Sequence, residues 1–361
     1  MLTSSLNYQA ALRSPHRLSV RVDAYDIDGV PRALDLRPTG GSVTANLTNR
    51  VTRSARFTMT RPDFPDDSDD ALSPEFAVVQ IRAGIRFGDD TEELFPVFTG
   101  RVATSTLRPD GQVEFVCDDL AADVLGFRFE QPRTTRYATT LDEIHALILD
   151  ALPQAMFAGD TVVNQPTPSS LTWDEDRGQA LDDLAESLGG RWFALGDGSF
   201  TVRPFDYAYG PIAQTFYDGD GGLLLEATVS RSREGVANSV TVVSERTDGS
   251  TPVRVPVRNT DPTSPTEFGG KFGRVSQIIK VQTPLTSGQA TTLATTQLQA
   301  AGALVRQWSA SVVPDYALEP GDTVALSFMA VADLQIIDQI TYPLTTGESM
   351  TISGRAGTTG A

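Results

Sequence analysis

The chain has 361 residues, 40 % of them hydrophobic and 21 % charged, which is too long for one ordinary core and too apolar for a disordered chain; two or three folded units are expected. A formal net charge of −17 disfavours any surface that wraps nucleic acid by neutralising its phosphates, and leaves open either simple solubility or a channel past which DNA slides without sticking. No apolar run approaches the roughly 20 residues that span a bilayer, and the opening MLTSSLNYQAALRS lacks a signal peptide's pattern, so synthesis as a soluble cytosolic chain is expected.

From Arg17 to Asp118 the apolar period is two. Leu18, Val20, Val22 and Ala24 alternate with polar residues, followed by Val43, Ala45 and Leu47, then Ala55, Phe57 and Met59, then Val79 to Phe87, then Val113, Phe115 and Cys117. Such alternation marks half-buried antiparallel strands, and turns are expected at Asp28-Gly29, Gly40-Gly41, Gly88-Asp89-Asp90 and Asp110-Gly111. The stretch RPDFPDDSDDALSPEF cannot continue a ladder and is expected as a surface loop.

Near residue 135 the period changes. Thr140 and Glu143 have capping-box spacing ahead of Ile144, Leu147, Ile148, Ala151 and Leu152, which predicts a helix over 141–152 stopped by Pro153. A second helix is expected over 176–188, with Leu181, Leu184, Ala185 and Leu188 on one stripe and Gly189-Gly190 at its C-terminus. RWFALGDGSFTVRP then reads as a hairpin turning at Gly196, Asp197 and Gly198. Beyond DGDGG at 218–222 strands return in NSVTVVSE, VRVPVR and VSQIIKVQ. A long helix over 287–307 follows, with Thr286 and Gln289 as its capping box, and then WSASVV, DTVALSF, DLQIIDQITY and ESMTISGR. The expected class is mainly β with a small mixed α+β insert: an arm at 1–14, a first β domain at 15–130, the insert and linker at 131–224, and a second β domain with a packed helix and polar tail (AGTTGA) at 225–361.

Signals for chemistry are few. Cys117 is the sole cysteine, excludes an intrachain disulfide, and falls on the apolar face of its strand. His16 and His145 lack metal-ligand spacing. No nucleophile elbow, phosphate-binding loop or H-E-x-x-H string occurs. Asp66, Asp67, Asp69 and Asp70 form one acidic run and Asp218 with Asp220 another. Calcium is the chemistry they would serve, but neither completes an EF-hand, and solvated loop charge is the plainer reading. Trp173, Trp192 and Trp308 lie in or beside patterned segments and read as core rather than as a stacking platform. The sequence therefore supplies no catalytic, cofactor-binding or metal residues. Lys271 and Lys280 are the only lysines, a skew that fits a GC-rich genome.

Three stretches carry a resemblance. They are GGSVTANLTNRVTRSARFTMTRPD followed by VFTGRVATSTLRPDGQVEFVCDDLAADVL; LDDLAESLGGRWFALGDGSFTVRP; and WSASVVPDYALEPGDTVALSF leading to IIDQITYPLTTGESMTISGR. In this order the chain resembles the tail hub proteins of phages, a family that includes the baseplate hub of contractile tails and spike-linked hubs of secretion machines. Its opening third is similar to minor tail proteins of actinobacterial siphophages. The resemblance implies two tail-tube-like antiparallel β-barrel domains per chain, and a homotrimer that presents six such domains to a sixfold tail tube around the DNA exit channel. It also implies a virion location at the tail tip and a distal tail protein or tube ring, tip, spike or fibre proteins and the tape measure protein as partners. DNA would pass through the lumen without specific binding, past acidic and neutral side chains. Lytic relatives carry additional C-terminal domains, and the end of this chain at 361 argues against an enzyme. Two alternatives stand beside the hub: a hexameric distal tail or tube protein, and a tail-associated cell-wall hydrolase, which requires a cleft with two positioned carboxylates.

Overall fold

The computed structural model describes residues 2–168, 171–204, 208–244, 252–281, 285–329 and 331–357; the polar tail beyond Gly357 lies outside them. The chain opens with α1 (Leu6–Ala11), capped by the Ser5 hydroxyl, which accepts the Tyr8 N–H. The segment expected as an arm is anchored: Tyr8 and Leu12 are buried in the main core, and the Tyr8 hydroxyl accepts the Tyr316 N–H at 2.9 Å. The period-two segments then become β1 (Arg17–Tyr25), β2 (Pro31–Leu36), β3 (Gly40–Asn46), β4 (Arg53–Thr60), β5 (Val78–Arg86), β6 (Glu92–Leu107) and β7 (Gln112–Asp119). Turns close at Gly29 and Gly111, both with positive φ. The expected turn at Gly40-Gly41 is instead the start of β3: these residues pair with Thr58 and Phe57, and a Cβ on Gly41 would collide with the Arg56 carbonyl oxygen. Glycine serves there for close strand approach rather than for a reversal.

Ahead of the insert's expected start at 131, α2 (Ala121–Gly126) packs into the insert's core through Ala121 and Val124. The insert contains β8 (Arg133–Thr134), α3 (Thr140–Ala151), β9 (Thr172–Trp173), α4 (Arg177–Ser187) and the hairpin β10 (Gly190–Ala194) with β11 (Phe200–Pro204). Its own core gathers Ile144, Leu147, Leu181, Leu184, Trp192 and Phe200, each large apolar side chain worth about 1.5–3 kcal/mol when buried. Gly189 follows α4 with φ +69, the left-handed cap its position calls for. The N-terminus of α3 differs in detail from the expected capping box. Thr139 is the cap, accepting the Asp142 N–H, while Thr140 donates to the Gln165 carbonyl. Glu143 is fully buried and accepts from Arg133 Nη2 and from the N–H groups of Arg136 and Tyr137 at 2.6–2.8 Å. The carboxylate is drawn away from the helix end because three donors of the preceding loop need it.

The remainder comprises β12 (Ile212–Tyr217), β13 (Leu224–Arg231), β14 (Ser239–Ser244), β15 (Val253–Arg258), β16 (Ser276–Val281), α5 (Ser287–Ala303), β17 (Arg306–Val312), β18 (Thr323–Phe328), β19 (Val331–Pro343) and β20 (Met350–Arg355). The Thr286/Gln289 capping box of α5 is formed. NSVTVV, VRVPVR and SQIIKV do not join the strands that follow them. They make a separate sheet, β15-β14-β16, whose Val240 and Val242 pack against Leu293 and Ala294 of α5.

All other long strands share one 13-stranded sheet. It runs β13-β17-β20-β19-β3-β4-β7-β6-β5-β1-β2, with β18 added to β19 and β12 to β18. The first half has the order β3-β4-β7-β6-β5-β1 and the second β13-β17-β20-β19-β18-β12, the same succession twice. Five of the six positions agree in direction; the sixth is antiparallel in β1 and parallel in β12. The halves are joined by β3 pairing with Gln339–Pro343 of β19, and one apolar core runs beneath both. The fold is thus mainly β with a small α-containing insert.

Candidate functional site

The residues that sequence singled out for chemistry are not brought together. Asp70 accepts the N–H groups of Asp66 and Asp67 at 2.8 and 2.9 Å, so it closes its own loop. Asp66 pairs with Arg61, and Asp218 accepts the Met329 N–H. Among the described residues no group of three or more His, Cys, Asp or Glu side chains has metal-binding geometry. His16 Nδ1 lies within 3.0 Å of the carbonyls of Ala11 and Ser14. His145 sits 2.9 Å from Asp160 and packs against Phe157 with the ring centroids 4.1 Å apart, at the half-buried border of the insert. Cys117 is buried, and burial pushes its thiol up, away from the reactive thiolate.

The three tryptophans are core, and each satisfies its indole N–H on a carboxylate. Trp173 donates to Asp183 at 2.8 Å, Trp192 to Asp182 at 2.9 Å and Trp308 to Asp333 at 3.3 Å. No sequence signal marked these acids, because the donors lie 10 to 25 positions away on other elements.

A cavity of about 730 Å³ lies between α5 and the end of β15, with Asp261 and Asp333 among its walls. It holds two carboxylates, and both are already engaged. Asp333 is tied to Arg306 at 2.8 Å. Asp261 is drawn below the usual carboxylate range by bonds from the Thr263 hydroxyl and N–H, the opposite of what a general acid needs. Carboxyls that burial pushes upward lie elsewhere. Asp119, pushed up to about 6, accepts from Thr52 Oγ1, Arg53 N–H and Ala121 N–H beneath the sheet. Glu186, pushed up to about 7 by burial and then by Asp182 and Asp183, lies on α4.

What the structure presents instead is strand edge. Among the described residues β13 bonds only to β17, and its register is unbroken from Glu226 to Arg231. β5 covers β6 only as far as Arg101, and beyond the bulge at Ala103 the residues Thr104–Leu107 pair, among the described residues, with β7 alone. β2 is a poor edge: it begins with Pro31, pairs at three positions with two irregularities, and holds Asp35 at φ +59. Large apolar residues are exposed on border strands of the main sheet, Leu34 on β2, Leu107 on β6, Ile212 on β12 and Leu225 on β13, and on the border strand β16 of the small sheet, Ile278. Unpaired backbone beside exposed apolar side chains is the chemistry of strand addition, in which another backbone satisfies the free N–H and C=O groups.

The junction of the two halves is built to hold. Arg53 on β4 is buried, donates to the Val97 carbonyl at 3.0 Å and ion-pairs with Glu319 in the loop before β18. The Tyr342 hydroxyl donates to the Leu318 carbonyl at 2.6 Å. The insert docks on the first half through its hairpin tip, where Thr99 Oγ1 donates to the Gly196 carbonyl at 2.9 Å.

This architecture matches solved structures. The tail protein from Neisseria meningitidis MC58 superposes with a TM-score of 0.67 over 94 % of this chain and 96 % of its own, at 14 % identity. The chain has a phage tail protein fold. The 43 kDa tail protein of prophage MuSo2 from Shewanella oneidensis shares this fold at a TM-score of 0.63, with 14 % identity over 94 % of this chain and 98 % of the other. Prophage tail protein gp18 from Listeria monocytogenes EGD-e follows at 0.58 and 11 % identity, covering 93 % and 94 %. Neither a family model nor a curated protein sequence matches the chain. The tail protein fold is therefore carried by strand order and core packing rather than by residue identity.

Proposed function

We propose that the protein is a structural component of a phage tail tip, the hub that adapts a sixfold tube to a threefold tip as a homotrimer around the DNA exit channel. The observation that carries this reading is the repetition of one strand order twice in a single chain. Three such chains supply six similar β units, whereas a tube or distal tail protein with one unit per chain needs six copies. The tail protein fold supports a place in the virion, with neighbouring tail components as partners. The net charge of −17 supports a lumen of acidic and neutral side chains past which DNA slides. On this reading the protein performs no catalysis: its work is backbone pairing at strand edges, and the engaged carboxylates of the α5 cavity are in keeping with that.

The test is to propagate the phage without this gene product. Particles are expected to lack closed, infective tail tips, and a point variant in an exposed loop should restore them as well as the parent. Zymography of the purified chain on cell-wall polymer separates the enzyme alternative: cleared zones, lost on substituting a carboxylate, would replace the structural reading.

A further inference from the structure

The repeated strand order extends to individual residues. The β6–β7 ladder breaks its register between Val102 and Thr104, and the β19–β20 ladder breaks between Ile337 and Gln339. At the same place Val102 N–H donates to the carbonyl of Ala77, the residue before β5, at 3.1 Å. Ile337 N–H donates to Asp322, the residue before β18, at 3.0 Å. Asn46 N–H donates to Thr52 at 2.7 Å where β3 leads to β4. Ser232 N–H donates to Val305 at 3.1 Å where β13 leads to β17. These coincidences fix a correspondence: Val102 with Ile337, Leu107 with Tyr342, and, through Ala55 and Trp308, Val43 with Val229.

Within the chain, β3 of the first half is sealed by the end of β19, with Val43 opposite Tyr342. The equivalent two surfaces, the outer side of β13 and the end of β6, have no strand beside them among the described residues. Both are ready for pairing. Thr228, Ser230 and Arg231 are exposed on one, and Ala103, Thr104, Thr106 and Leu107 on the other.

We propose that β13 of one copy pairs antiparallel with Thr104–Leu107 of β6 in the next copy, repeating the β3–β19 junction, with Val229 opposite Leu107, Ser230 opposite Thr106 and Arg231 opposite Ser105. The proposal rests on the homo-oligomeric reading above and specifies its contact. The two surfaces differ, so the contact is heterologous and generates a ring when the rotation closes. β2 stays outside it, consistent with its irregular pairing.

Directly opposite residues in an antiparallel pair have Cα atoms about 4.5–5.5 Å apart, within reach of a disulfide. The experiment is mild oxidation of the Val229→Cys, Leu107→Cys double variant. Controls are each single variant and the pair Val229→Cys, Thr104→Cys, whose positions lie three residues out of register, about 10 Å along the strand. Cys117 is buried and stays out of the reaction. Covalent multimers are expected from the first pair, ending at three chains, with loss of product in all controls. Equal linking in the out-of-register pair overturns the proposal. An oligomer by light scattering that leaves the first pair unlinked overturns this pairing while the homo-oligomeric reading stands. A monomer that stays unlinked at the highest soluble concentration overturns both.

Discussion

Arg53 and Glu319 form an ion pair away from water at the seam of the two halves. Removing one partner strands the other, whereas exchanging both for apolar residues of similar volume removes the desolvation cost along with the attraction. Glu319→Ala is therefore expected to lower stability by about 3–5 kcal/mol. Arg53→Met combined with Glu319→Leu should cost far less. Urea denaturation of the three proteins decides it: a double variant as unstable as the single one contradicts the expectation.

Glu186 provides a pH test. Burial, and then the neighbouring Asp182 and Asp183, push its carboxyl up to about 7, with Arg50 opposing. The native chain thus holds the proton more tightly than the unfolded chain, whose carboxyl titrates near 4.3. The stabilising contribution is full below about pH 4 and is lost as pH rises through about 7. Glu186→Gln should be more stable than the parent by about 1–3 kcal/mol at pH 8, the difference vanishing near pH 4. Thermal unfolding across that range reads it, and a difference independent of pH rejects the assignment.

Among elements, the hairpin of the insert makes the sharpest test. Gly196 meets β6 so closely that any Cβ would strike the Pro96 carbonyl oxygen. Gly196→Val is expected to lift the hairpin tip from the sheet, opening the 190–204 amides to hydrogen exchange while the β4–β7 amides stay protected. Uniform loss of protection would mean that the insert and sheet unfold as one. Arg177 plays a similar part inside the insert. Its buried guanidinium lies between Phe127 and Phe129 and bonds to the carbonyls of Phe127 and Leu147 and to Asp150. Arg177→Ala leaves two carbonyls and a carboxylate without their donor.

Local signals were legible at this scale. The stripes Ile144/Leu147/Ile148 and Leu181/Leu184/Ala185 gave both insert helices, Gly189 gave a helix end, and Thr286 with Gln289 gave a helix start. Partners were not legible. Period-two alternation says that Val240 and Val242 lie on a buried face, but not that the face belongs to α5 rather than to the main sheet. The spacing of Glu143 points to a helix cap, but its three donors, on Arg133, Arg136 and Tyr137, lie outside the helix, where spacing cannot show them. The carboxylates that hold the tryptophans were missed for the same reason.

At the scale of the whole molecule, the overall class and the tail protein fold were readable from segment order, but the residue-level repeat was not. Equivalent positions such as Ala55 and Trp308, or Cys117 and Gly354, differ too much in size for sequence comparison. What persists is strand order, one bulge and a few backbone bonds, all consequences of long-range pairing. The connection between β13 and β17 also carries the whole β14–β16 and α5 unit, where β3 and β4 are joined by a short turn. An insertion of that length hides a repeat from any fixed spacing.

The central claim is that doubled β units in each chain let three copies do what six single-unit chains do. Electron cryo-imaging of the tail tip, with copies of this chain counted in the reconstructed ring, tests it most directly. Three copies forming six similar β units around the channel is the predicted result; six copies in the ring, or a tip without this chain, contradicts it.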